Sequence, residues 1–130
     1  MRALDLSILP ETLAIVRLSA DVPAPAWTQT GPFGSVTRTR DEVSIVCGDR
    51  AVPESVTADR GWRAIRVAGI LELSATGILL SIATPLAEAR IPIFALSTHD
   101  TDYVLVREEA LGRAVEALTA AGHRFFEHKP

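Results

Sequence analysis

Cysteine is almost absent. Cys47 stands alone in 130 residues, so no internal disulfide can form. Aromatic residues make up only 5% of the chain, so branched aliphatics and alanine must fill most of any core. No apolar stretch reaches the ~18 residues that a spanning helix needs. The opening MRALDLSILPETLAIVRL carries an early arginine, but Asp5, Pro10 and Glu11 interrupt it and no small-residue cleavage site follows. A signal peptide is therefore not expected, and the cytoplasm is the expected compartment. Basic runs are missing too, since 13 Lys and Arg against 16 Asp and Glu leave a scattered net charge of −3. Nucleic-acid binding needs a positive stripe to neutralise phosphates, so nucleic acid is not the expected partner.

The patterns of catalysis are equally scarce. There is no Gly-rich loop of the kind that cradles phosphate. Ser97, His99 and Asp100 share one turn, where they cannot form the long-range relay of a hydrolase. His123, Glu127 and His128 lack the one-face spacing of a zinc-binding helix. Cys47 follows Val43 and Ile45 in an alternating apolar run and reads as a small core residue, with no basic neighbour in sequence to activate it. No catalytic residue, metal or cofactor is expected, and the chain is not expected to be an enzyme.

What is present is ordinary globular material, 48% hydrophobic and 22% charged. Residues 12–18 (TLAIVRL) read as a strand that ends before Pro23 and Pro25, which leave room for at most one helical turn around Trp27. Residues 33–38 and 42–47 form a strand pair, and residues 53–56 a brief helical turn. WRAIRVA (62–68) is a strand closed by Gly69. Ile78, Ile82 and Leu86 recur at helical spacing within 76–90, with Ser74 or Thr76 as N-cap. Pro85 inside that helix must remove the backbone bond to Ser81. Strands at 92–98 and 102–106 flank a polar turn. An amphipathic helix over 108–121 has an acidic start and Gly122 at its C′ position, and HRFF closes the chain with a short strand.

The second half therefore reads β-α-β-β-α-β, the ferredoxin-like order. The first half repeats it in abbreviated form, with GSVTRTRDEVSIV in the place of FALSTHDTDYVLV. The expectation is an α+β chain of two tandem ferredoxin-like units, with antiparallel sheets and the two long helices on one face. Residues 1–60 form the abbreviated half and 61–130 the complete one. Few charged residues fall on the strands, which leads us to expect a covered sheet edge and a homodimer.

The stretch TGILLSIATPLAEARIPIFALSTHDTDYVLV, followed at once by an acidic helix start, resembles an ACT domain. It is similar to the ACT family that includes the animal cytosolic arginine sensors and small bacterial proteins, and to the regulatory ACT domains of aspartate kinases. FGSVTRTRDEVSIVC resembles that family's other diagnostic strand pair. The resemblance implies an amino-acid-binding regulatory or sensor protein, with its ligand at the interface between ACT units. It points to Thr76, Gly77 and Ile78 at the helix start, to Thr98 and Asp102 around the turn, and to Ser35 and Val36 on a facing strand. The arginine sensors carry acidic residues just before the helix glycine; Ser74 and Ala75 stand here instead, which argues against a guanidinium-bearing ligand.

A zwitterion suits such residues. Helix-start N–H groups receive a carboxylate, and Gly77 lets it approach without a Cβ in the way. Asp102 can receive the ammonium through a charge-assisted bond. Asp100 reads as a turn former, because Asp bonds its own backbone. A strand edge at Ser35 and Val36 can offer backbone groups to a bound amino acid. The competing expectation is an oligomerisation module of the same fold that binds no ligand.

Overall fold

A computed structural model describes residues 2–128. In chain order the strands are β1 (Asp5–Ile8), β2 (Leu13–Leu18), β3 (Gly34–Arg38), β4 (Val43–Gly48), β5 (Asp59–Val67), β6 (Phe94–Ser97), β7 (Asp102–Arg107) and β8 (Arg124–Phe125). The helices are α1 (Ile78–Glu88) and α2 (Leu111–Ala120). The chain divides into two compact units, Glu11–Trp62 and Met1–Pro10 with Arg63–Pro130.

Within Glu11–Trp62 the sheet order is β3-β4-β2-β5, with antiparallel neighbours. Ala14 faces Cys47, Val16 faces Ile45 and Leu18 faces Val43. Period-two alternation thus puts one apolar set on one face, where it forms a core with Val52 and with Trp27 packed against it. Two 3-10 turns, Ala26–Gln29 and Asp49–Ala51, stand where a full βαββαβ unit has helices. The second lies earlier than the expected turn at 53–56, where only a Val56-to-Pro53 backbone bond closes. Asp49 is fixed there by an ion pair with Arg60. Cys47 is buried, and burial pushes its thiol pKa up despite the opposing pull of Arg60. It is a core residue.

The other unit has the order β6-β7-β5-β1-β8. Strands β5, β6, β7 and β8 with α1 and α2 supply the βαββαβ sequence. Nothing in the local pattern predicts β1, which inserts between the first and last of these strands. It runs antiparallel to β5 and parallel to β8. Helices α1 and α2 pack on each other, and Ile82, Leu86, Ala114 and Leu118 share one core cluster with Leu6, Ile65, Val67, Val104 and Val106. Both helices therefore cover the same sheet face, as expected of a ferredoxin-like unit.

Two local expectations change. The N-cap of α1 is Gly77, at φ 77° and with no side-chain cap, so neither Ser74 nor Thr76 caps the helix. The chain enters α1 through a left-handed residue, which turns both hydroxyl residues out to solvent. Residues Glu108–Ala110 form a 3-10 turn, so α2 proper begins at Leu111.

Pro85 does stand inside α1. It cannot donate to the Ser81 carbonyl, and His123 does so in its place: its Nε2 lies 2.8 Å from that oxygen. The opposite ring nitrogen, Nδ1, accepts the Leu4 N–H at 3.0 Å. These two bonds fix the Nε2–H tautomer of a ring that is 3% exposed. Gly122, at φ 99°, makes the placement possible by closing α2 with bonds from Gly122 to Thr119 and from His123 to Leu118.

Candidate functional site

The segment leading into α1 and the turn between β6 and β7 line a cleft of about 390 Å³. The turn is built by Thr98, whose N–H donates to the Thr101 carbonyl at 2.8 Å and whose hydroxyl accepts the Thr101 N–H at 3.3 Å. Thr101 is buried and donates its own hydroxyl to the Val67 carbonyl at 2.7 Å, anchoring the turn to the end of β5. Across the cleft, the Leu71 N–H donates to the Asp100 carbonyl at 2.6 Å. Hydroxyl chemistry at Thr98 therefore makes the turn, and the Asp100 carboxylate projects outward beside His99, 3.0 Å from its Nδ1. Thr101 was not singled out by its spacing. Its signal was a second threonine three residues after Thr98, within reach of a hydroxyl-to-backbone bond.

The other lip is the start of α1. At Gly77 an added Cβ would meet nothing within 4 Å, so glycine is needed there for its positive φ and not for close packing. The first-turn N–H groups of α1, unsatisfied within the helix and without a side-chain cap, put the positive end of the helix dipole at the cleft. Glu72, Asp100 and Asp102 are also among its lining residues, and among the described residues no Lys or Arg is. Asp102 is held in place by the Ser97 hydroxyl, which donates to its Oδ1 at 2.6 Å. Leu73 and Leu80, 76% and 61% exposed, stand on the rim.

Of the residues expected at a site, Gly77, Ile78, Thr98 and Asp102 line this one cleft. Thr76 is exposed and does not line it. Ser35 and Val36 lie on β3, in the Glu11–Trp62 unit. Among the described residues no group of three or more His, Cys, Asp or Glu could hold a metal ion, and no helix is long and apolar enough to cross a membrane.

The βαββαβ frame that carries this cleft is that of an ACT-type unit. Residues 57–120 match the family model of the ACT domain, so the chain contains an ACT domain. Residues 11–55 match a separate model that describes an N-terminal domain. Among curated proteins, the human cytosolic arginine sensor for mTORC1 subunit 1 is 30% identical over 97 residues, 66% of this chain. The chain spans 30% of that relative's length. A solved structure of an Agrobacterium tumefaciens protein is 39% identical with a TM-score of 0.92, covering 100% of this chain and 97% of that one. The ligand-free regulatory subunit of aspartate kinase from Thermus thermophilus shares the fold at 10% identity and a TM-score of 0.59, over 88% of this chain and 97% of that one.

Proposed function

We propose that this chain is a cytoplasmic amino-acid-binding regulatory protein and not an enzyme, with its ligand in the cleft at the start of α1. The observation that carries the proposal is the pairing of uncapped helix-start N–H groups with the Asp102 carboxylate across one cleft. The ligand carboxylate lies near the backbone of Gly77 and Ile78, and its ammonium near Thr98 and Asp102. Ser35 and Val36, with Thr76 at the margin, are proposed as contacts that complete the site when a second ACT-type unit faces it. The ligand's effect is to change how the chain meets a protein partner.

A thermal-shift screen of the twenty amino acids tests this. A ligand at 100 times its dissociation constant adds ~2.7 kcal/mol, which moves the melting temperature by several degrees in a chain of this size. At least one amino acid is expected to do so. If none stabilises the chain at millimolar concentration, the oligomerisation module is the better description.

The exposed Ile70, Leu73 and Leu80 side chains favour that second role, alone or together with ligand binding. We expect a homodimer in solution, read by light scattering. A mass of 14.0 kDa at high micromolar concentration would count against it.

A further inference from the structure

A second cavity, of about 350 Å³, lies on β1, β5 and the end of the chain, away from the cleft at α1. Its origin is alternation. Leu6, Ile65 and Val67 point into the helix-covered core. Their neighbours Ser7 and Arg66 therefore point to the other face, where they stand directly opposite one another across β1 and β5. Phe126 and His128 complete the cup from beyond β8, with the Phe126 N–H bonded to the Leu6 carbonyl.

The charges in this cup do not all pair. Asp5 is matched by Arg124, whose Nε and terminal nitrogen donate to one carboxylate oxygen at 3.2 and 2.9 Å. Glu127 is exposed and makes no ion pair with Arg66. Arg66 is partly buried, yet it has no hydrogen-bond or ion-pair partner among the described residues. Every other arginine without a partner is exposed. A half-dehydrated guanidinium fork is a carboxylate receptor without its carboxylate. Beside it, the Ser7 hydroxyl, buried and 3.2 Å from His128 Nδ1, offers a further polar contact. The wall is Phe126, 54% exposed, with the Arg124 guanidinium 5.5 Å from its ring centre.

We infer that this cup binds a small aromatic carboxylate, its anionic group on Arg66 and its ring against Phe126. Neutral aromatics lose the guanidinium contact, and small aliphatic acids lose the ring contact.

Calorimetric titration of the whole chain with benzoate, benzamide and acetate tests the assignment. Benzoate is expected to bind with a dissociation constant on the order of 1–10 mM, as suits so few heavy atoms. Benzamide and acetate are expected to bind at least several-fold more weakly. Arg66→Gln should weaken benzoate about tenfold or more, Arg66→Lys should weaken it less, and Phe126→Ala should weaken it several-fold. Asp102→Asn, in the other cleft, should leave benzoate binding unchanged. Loss of benzoate binding with Asp102→Asn, equal binding of benzamide, or binding indifferent to both Arg66 substitutions would overturn the assignment. So would absence of benzoate binding to a folded wild-type chain. None of these results depends on whether an amino acid occupies the cleft at α1.

Discussion

His123→Phe is expected to destabilise the chain by about 2–6 kcal/mol, since two buried backbone groups each lose a partner worth roughly 1–3 kcal/mol. The Leu4 N–H loses its acceptor and the Ser81 carbonyl loses its donor. Against a total stability of about 5–15 kcal/mol this is a large share, and chemical denaturation will read it directly. The cause can be isolated through Pro85. Pro85→Ala restores an N–H in the position where α1 lacks one, so it should relieve the Ser81 carbonyl only when His123 is absent. A double-mutant cycle should show coupling of about 1–2 kcal/mol between the two positions. Purely additive effects would mean that His123 does not stand in for the missing proline N–H.

Asp102→Asn is expected to weaken the amino acid found in the screen by about 1.5–3 kcal/mol, roughly ten- to hundredfold, the worth of a hydrogen bond to a charged group. The substitution removes the charge but keeps a carbonyl oxygen that can still accept the Ser97 hydroxyl. Asp100→Asn and His99→Ala should matter less, because both side chains are exposed. Gly77→Ala should weaken the ligand too, by placing a methyl group in the open space at the helix start. At φ 77° an alanine also strains the backbone by about 1–2 kcal/mol, so its stability must be measured beside its affinity. Calorimetry on the four variants checks the order. A neutral Asp102→Asn with the ligand still bound would move the site elsewhere without removing it.

Much of the architecture was legible in the sequence because its signals are local. Val43, Ile45 and Cys47 recur at every second position, and Ile78, Ile82 and Leu86 recur at helical spacing. These periods decided strand and helix, and the order of elements decided the ferredoxin-like unit. Gly122 announced the end of α2 because a left-handed C′ position favours glycine. The loss of a bond at Pro85 followed from its missing N–H alone. Four of the residues expected at a site, Gly77, Ile78, Thr98 and Asp102, belong to two segments that the helix and hairpin motifs already set apart.

The rest needed the tertiary structure, because it depends on pairings between distant segments. Leu4 and His123 are 119 positions apart, and no spacing rule relates them. The same holds for β1, four residues too short to show a period and recognisable only once β5 and β8 lie on either side of it. Which turn residue faces inward was also decided there: the Val67 carbonyl claims the Thr101 hydroxyl, and Asp100 is left outside. Arg66 shows the limit most clearly. Composition counts it as one of 13 positive charges, and only the register of β1 against β5 and the return of the chain end reveal that it is partly buried without a partner. A sequence states which groups need partners; long-range register decides which of them find one.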